Sequence, residues 1–270
     1  MQLDEIKKQW VNSDMNPQKD IALWDSQADD PTYHRIPTFE DNAFLQLLER
    51  EHMLDASYDV LDVGCGVGVY ALALSKRVHS AVGIDLSPKM LEHGRTLLER
   101  EDRKNVTLTL TDWNLVDLGE QGLRERFDLV FTHTSPAVSD AASLEKLMGA
   151  SRRFCAVCNP IRMAEPVLEE VCRIAGLGEE EAYCGSGLIY MLDMLLQMGY
   201  QPKLEYENQI WPMHQTYEDA CTYYLGRAGA VGQIAAEKAE AVKAYLASIA
   251  KEGMVSDRID AKIITVYWEK

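Results

Sequence analysis

The sequence predicts an α/β fold: a doubly wound, mostly parallel sheet with helices on both faces. Three observations carry that expectation. The segment Tyr58-Asp59-Val60-Leu61-Asp62-Val63-Gly64-Cys65-Gly66-Val67-Gly68 reads as a buried strand running straight into a glycine-rich turn. Val69, Leu72, Ala73 and Leu74 continue that turn as a helix. Strand-like and helix-like stretches then alternate as far as Cys158, the pattern of a parallel sheet with crossover helices.

Residues 1–37 are mixed, with Trp10, Trp24, Tyr33 and His34 spread among polar residues. Asp30-Pro31 and Ile36-Pro37 read as helix breakers, and the stretch is expected to act as a lid. Thr38 with Asp41 suggests a cap for a helix that carries Phe44, Leu45, Leu47 and Leu48 on one side. Val60–Val63 is the first strand and Ser80–Asp85 the second. Ser87-Pro88 reads as the N-cap and first position of a helix over Lys89–Leu98. Val106–Leu110 and Phe127–Thr132 are the third and fourth strands, and a helix near Ser143–Met148 leads to a fifth, Phe154–Cys158.

From Glu165 onward the pattern changes. Pro166–Ala175 and Leu188–Met198 read as helices, and Lys203–Gln209 and Ile259–Tyr267 as strands. Thr216–Lys251 holds two expected helices split at Gly226–Gly232, the second alanine-rich and helix-prone. The organisation expected is one domain over residues 1–270. A helical insertion at 211–252 and the 1–37 segment would form a lid over the site.

The glycine turn sets the chemistry. Gly64, Gly66 and Gly68 let the backbone turn tightly and approach a ligand, while the next helix aims its first N–H groups at the same place. The spacing is Gly-x-Gly-x-Gly, not the Gly-x-Gly-x-x-Gly of dinucleotide sites. Asp62, two positions earlier, would repel a pyrophosphate and attract an ammonium group.

The run Val60–Gly68 resembles motif I of the class I S-adenosylmethionine (SAM)-dependent methyltransferases. Ala81-Val82-Gly83-Ile84-Asp85-Leu86-Ser87-Pro88-Lys89-Met90-Leu91 is similar to that family's second strand and following helix. The resemblance is motif-specific from Val60 to Trp113 and topological to Tyr267. It implies a seven-stranded sheet whose last strand is antiparallel, an edge hairpin of the sixth and seventh strands, and SAM as cofactor. The residues it marks for cofactor binding are Asp62, Gly64, Cys65, Gly66, Gly68, Asp85, Leu86, Met90, Asp112, Trp113, Thr132 and His133. Within that set, Asp85 would hold the ribose diol, Asp62 the ammonium of the methionine moiety, and Asp112 the adenine amino group, with Trp113 packed on the ring. Asp62 capping the glycine turn, and Trp113 packing on the sheet edge, are the structural alternatives.

Ligands in open α/β sheets lie beyond the carboxyl ends of the strands, which puts His133 to Pro136 near the transferred methyl group. His133 is a candidate general base for a hydroxyl acceptor, or equally a hydrogen-bonding group for the cofactor or a loop carbonyl. The Asn/Asp-Pro-Pro-Tyr signature of amino-methyltransferases is absent from this segment. Tyr33 is a second catalytic candidate, because N-terminal aromatics fold over the cofactor in related small-molecule enzymes. Tyr190, Trp211, His214, Tyr217, Tyr223 and Tyr224 supply either an aromatic pocket or packing between helices. Arg35 and Arg162 are candidates for an acceptor carboxylate or for surface ion pairs.

Composition bounds the partners. The chain has 270 residues, 47% hydrophobic and 26% charged, ordinary for a globular domain with a full core. A net charge of −16 gives no counterion-release binding to phosphate backbones, so nucleic acid is not the expected partner. No run of eighteen apolar residues implies a membrane span, and Met1–Lys8 lacks a signal-peptide core, so a cytoplasmic protein is expected. Cys65, Cys155, Cys158, Cys172, Cys184 and Cys221 are scattered and suit free thiols. Cys155-Ala156-Val157-Cys158 sits in a strand, and no second pair completes a metal site; none is expected.

The expected function is therefore a SAM-dependent methyltransferase acting on a small molecule by in-line displacement, as a monomer or homodimer. The alternatives are a protein acceptor, a non-catalytic SAM-binding regulator, and a nicotinamide oxidoreductase. The last is disfavoured by the glycine spacing and Asp62.

Overall fold

The computed structural model describes residues 2–13, 16–177 and 185–270. A seven-stranded sheet runs in the order β3-β2-β1-β4-β5-β7-β6. Its strands are β1 (Asp59–Val63), β2 (Ser80–Asp85), β3 (Val106–Leu110), β4 (Phe127–His133), β5 (Ser151–Ala164), β6 (Lys203–Thr216) and β7 (Met254–Glu269). β1 pairs in parallel with β2 and β4, β2 with β3, and β4 with β5, while β7 is antiparallel to β5. The first strand pairs on one side towards β2 and β3 and on the other towards β4 and β5. The crevice at the reversal opens at the carboxyl ends of β1 and β4.

The helices are α1 (Leu3–Gln9), α2 (Pro17–Gln27), α3 (Ala43–Arg50), α4 (Val69–Leu74), α5 (Pro88–Arg100), α6 (Ala141–Ala150), α7 (Pro166–Ala175), α8 (Ser186–Gln197), α9 (Tyr217–Val231) and α10 (Ala236–Ile249). A 3-10 turn spans Pro31–His34. Contacts divide the chain into two compact units. The first comprises 1–159, 187–205 and 264–270, and the second 160–186 and 206–263.

The first unit contains the parallel strands. β1 is buried from Val60 through Val63, including Asp62. α5 starts as expected: Ser87 Oγ accepts the Met90 N–H, Pro88 holds the first helical position, and Met90, Leu91, Gly94 and Leu97 face inward. The core on one face of the sheet joins Leu61, Val63 and Val130 to Ile6 and Trp10 of the N-terminal segment, Leu144 and Leu147 of α6, and Met194 and Leu195 of α8.

The second unit packs α7, α9 and α10 around Val171, Tyr224, Ala228, Val242 and Leu246. Within it, buried Glu165 accepts hydrogen bonds from the Tyr223 hydroxyl at 3.0 Å and from Arg227 at 3.0 Å. The Tyr224 hydroxyl donates to Asp257 at 2.8 Å. Tyr223 and Tyr224 thus pack between elements of their own unit.

Three expectations are corrected. Asn42, not Thr38, caps α3, its Oδ1 accepting the Leu45 N–H at 3.0 Å, while Asp41 closes a turn back onto Thr38. α9 runs unbroken through Gly226 and Gly229 and stops at Gly232. Two interior glycines cost about 1 kcal/mol each relative to alanine, and the burial of Ala220, Tyr224 and Ala228 on one face offsets that. Pro17 and Pro31 open helical turns, each behind a capping Asn or Asp, and α2 ends at Gln27, ahead of the Asp30-Pro31 break. β5, β6 and β7 extend well past the expected strands, because polar residues and Pro160 inside them hid the alternation. Cys65, Cys155, Cys158, Cys172 and Cys221 are free thiols, and Cys184 lies outside the described residues.

Candidate active site at the carboxyl edge of the sheet

The glycine turn has the conformation its sequence demands. Gly64, Gly66 and Gly68 all adopt positive φ, at 70°, 54° and 81°. Gly64 has a second reason to lack a side chain: a Cβ there would lie 2.0 Å from Ser135 Oγ in the loop after β4. That close approach brings the β1 turn and the β4 loop together at the sheet's reversal point.

Asp85 ends β2 and organises the turn. One carboxylate oxygen accepts the Gly66 N–H at 2.7 Å and the other the Ser87 N–H at 2.8 Å. The sequence offered few structural reasons for this carboxylate; the structure supplies one, since it ties the glycine turn to the start of α5. Burial raises its pKa against the opposing pull of these N–H groups. Asp62 is 3% exposed, on the sheet face covered by α4. Burial first, then the neighbouring charge of Asp85, pushes its carboxyl up to about 8, while the Ala71 N–H pulls the other way. The glycine turn's N–H groups go elsewhere, those of Gly64 and Cys65 to the Ile84 carbonyl and that of Gly66 to Asp85, so Asp62 does not cap the turn as the structural alternative had it; the Ala71 contact leaves it acceptor capacity for a ligand.

The remaining marked residues sort by contact. The Thr111 N–H donates to the Asp85 carbonyl at 2.8 Å, which places Asp112 beside the end of β2. Asp112 is half-buried and its Oδ1 caps a turn through Asn114 N–H. Trp113 is buried in the core, its indole N–H donating to the Ser143 carbonyl of α6. The packing alternative thus accounts for its side chain. The Met90 thioether reaches the glycine turn, 4.0 Å from where a Gly66 Cβ would stand. Leu86 donates its backbone N–H to Asp85. The half-buried Cys65 thiol is pushed up by desolvation and by Asp62 and Asp85, so it stays protonated.

At the end of β4, Thr132 is fully buried with no partner for Oγ1 among the described residues, and His133 Nε2 is likewise buried and unpartnered. Thr134 carries φ of 49°, an uncommon strain for a β-branched residue. The His133 ring lies 4.0 Å from that of Tyr70 and 4.9 Å from that of Phe44, and burial pushes its pKa down to about 3. The imidazole is neutral at physiological pH and is a weak base there. Asn42 Nδ2 donates to the Tyr70 hydroxyl at 3.0 Å and fixes that ring.

Tyr33 is not joined to this group. Its hydroxyl donates to Gln27 at 2.8 Å within the N-terminal segment, and burial followed by Asp30 raises its pKa. Sequence reasoning placed Ser135 in the His133–Pro136 stretch near the methyl group but missed Asn42 and Tyr70 as site residues. Tyr70 had a usable signal, standing in the first turn of the helix that leaves the last glycine.

The chain fits an adenosyl sulfonium cofactor on its own geometry. A side-chain-free cradle, two buried carboxylates on neighbouring strands and two buried polar atoms with no partner among the described residues lie at the carboxyl end of the sheet. Comparison with known proteins agrees: residues 54–187 match the family model described as a methyltransferase domain. The chain carries a class I SAM-dependent methyltransferase domain.

The domain is similar to the 23S rRNA (uracil(1939)-C(5))-methyltransferase RlmD of Mannheimia succiniciproducens, 30% identical over 57% of this chain and 41% of that protein. The Alcanivorax borkumensis enzyme of the same name is 26% identical over 53% of this chain and 36% of that protein. The chain thus spans about two fifths of the length of these curated relatives. A 2-heptyl-1-hydroxyquinolin-4(1H)-one methyltransferase from Mycobacteroides abscessus is 39% identical over 20% of this chain and 24% of that protein. The fold matches the crystal structure of a putative methyltransferase from Bacillus halodurans, with a TM-score of 0.51 at 17% identity over 85% of this chain and 99% of that one. No helix among the described residues is long and apolar enough to cross a membrane.

Proposed function

We propose that this protein transfers the methyl group of SAM to a small-molecule acceptor. When bound, SAM supplies a methyl already activated as a sulfonium. The chain's residues then have to bind, align and exclude water. Asp85 and Asp112 hold the adenosine, and Asp62 takes the ammonium of the methionine moiety, whose positive charge favours the carboxylate form. The backbone of Gly64–Gly68 lies against the cofactor without side chains between them. The N-terminal segment 1–37 covers this edge as a lid.

The observation that carries the acceptor reading is the packing of His133 against Tyr70 and Phe44 at the end of β4. This aromatic cluster, with a neutral imidazole, suits a compact acceptor. A base with a pKa near 3 does little to deprotonate an ordinary hydroxyl, so the acceptor atom is one that needs no strong base, an amine, a thiol or an acidic hydroxyl. His133 and Thr132 then position groups by hydrogen bonding and do not accept the proton in the transition state.

The names of the relatives favour a second reading, an RNA acceptor. Against it, acidic residues outnumber basic ones in both units, which opposes a phosphate backbone. Incubation with methyl-labelled SAM and separate pools of small amines, thiols and phenols, ribosomal RNA, transfer RNA and protein decides between them. Label in a small-molecule pool is expected. Label confined to RNA or to protein would replace the acceptor assignment, and SAM binding with no label in any pool would favour a regulator.

A further inference from the structure

We infer that Asp25, in the N-terminal segment, is a positioning residue for cofactor binding, and that docking of α2 and ligation of the adenosyl group are one coupled event. The inference rests on the proposed seat of SAM at Asp85.

The coupling is a chain of short contacts. Asp25 Oδ1 accepts the Ser87 hydroxyl proton at 2.5 Å and the Lys89 N–H at 3.2 Å. Ser87 is fully buried, and its backbone N–H donates to Asp85 Oδ1 at 2.8 Å. The other oxygen of Asp85 holds Gly66 N–H at 2.7 Å. Four residues from three separate parts of the chain are thus linked in series, Asp25 to Ser87 to Asp85 to Gly66. The Ser87 hydroxyl has one proton, and Asp25 takes it, which leaves the oxygen free to cap Met90 N–H at 3.1 Å. Asp25 also brings a second carboxylate to the N-terminus of α5, where unpaired N–H groups favour negative charge.

What makes this a coupling and not simple packing is how α2 is held. It contributes no fully buried residue. Polar contacts fasten it to α5: Asp25 on Ser87 and Lys89 and, just past its end, Asp29 on Lys89 Nζ at 2.6 Å and on His93 at 3.0 Å. On the other side, the Ala141 N–H donates to the Trp10 carbonyl and Asn12 donates to Ser139, in the β4–α6 connection. The segment is therefore pinned near the carboxyl ends of β4 and of β2, and the glycine turn of β1 lies between those two strands. A helix with no fully buried side chain, pinned by polar contacts, responds to small changes in the strength of those contacts. A ligand that fixes Asp85 also fixes the anchor of α2, and linkage makes the effect reciprocal.

The test pairs titration calorimetry of S-adenosylhomocysteine with amide hydrogen exchange over residues 17–27, on the full chain and on Asp25→Ala, Asp25→Asn and Asp25→Glu. In the wild type the ligand should slow exchange in this peptide. Asp25→Ala should weaken binding about tenfold and abolish the slowing, while the unliganded melting temperature changes little because no α2 side chain is fully buried. Asp25→Asn keeps the acceptor oxygen and should bind within about threefold of wild type. Asp25→Ala binding like wild type, or exchange in 17–27 indifferent to ligand, overturns the inference. A wild type that fails to bind S-adenosylhomocysteine overturns the cofactor seat, and the inference with it.

Discussion

Gly64 and Ser135 approach so closely that a methyl group on the glycine would stand 2.0 Å from the serine hydroxyl oxygen. The contact joins the turn after β1 to the loop after β4 and forms the floor of the candidate site. Gly64→Ala meets both this contact and a φ of 70°. Overpacking together with left-handed strain should cost roughly 2–4 kcal/mol of stability and displace the turn. Urea unfolding and calorimetry with S-adenosylhomocysteine would check both effects. Undiminished affinity would show that the turn is not the cofactor's seat.

Asp85→Ala removes the acceptor for two backbone N–H groups as well as the proposed ribose ligand. Affinity for S-adenosylhomocysteine should fall by about two orders of magnitude, in line with a loss of 2–3 kcal/mol for a charge-assisted pair. Calorimetry gives the answer directly, and unchanged affinity would contradict the ribose assignment.

Stability should depend on pH through Asp62. The folded carboxyl keeps its proton up to about 8, whereas an unfolded aspartate loses it near 3.8. Between those values the native state binds more protons, so stability falls as pH rises from about 4 to about 8. Asp85, also raised, acts in the same direction. Denaturant titrations across that window should show the slope, and Asp62→Asn should flatten it. A ligand ammonium at Asp62 would favour the charged carboxylate, so binding near pH 7 should release close to one proton. Calorimetry in buffers of different ionisation enthalpy measures that release.

Much of this was legible in the sequence, and the exceptions have physical reasons. The strand–turn–helix at Val60–Leu74 and the capped start of α5 were readable because glycine and cap chemistry is local. Asp85's tie to Gly66 was not, since it spans nineteen residues and depends on which strands are neighbours. Trp113 looked like a ring to pack on adenine, but its indole is committed to α6, thirty residues away. His133 was readable as a site residue from its place after β4. Its neutrality was not, because the burial that lowers its pKa comes with the ring packing of Tyr70 and Phe44 on two other helices.

That neutrality has a kinetic consequence. With its pKa near 3, His133 should leave no ionisation on kcat between pH 5 and 9. His133→Ala should lower kcat and cofactor affinity together, by loss of packing and of one hydrogen-bonding edge. A limb near pH 6.5 that disappears in the variant would identify His133 as a general base after all.

The central claim is that the glycine turn, Asp62 and Asp85 form the seat of an adenosyl sulfur cofactor. Thermal unfolding with S-adenosylhomocysteine, SAM, NAD or no ligand tests it most directly. At about 100 times its dissociation constant a ligand should add roughly 2.7 kcal/mol of stability. An upward shift with the two adenosyl sulfur compounds and none with NAD is the predicted result. A shift with NAD, or with none of the three, would contradict it.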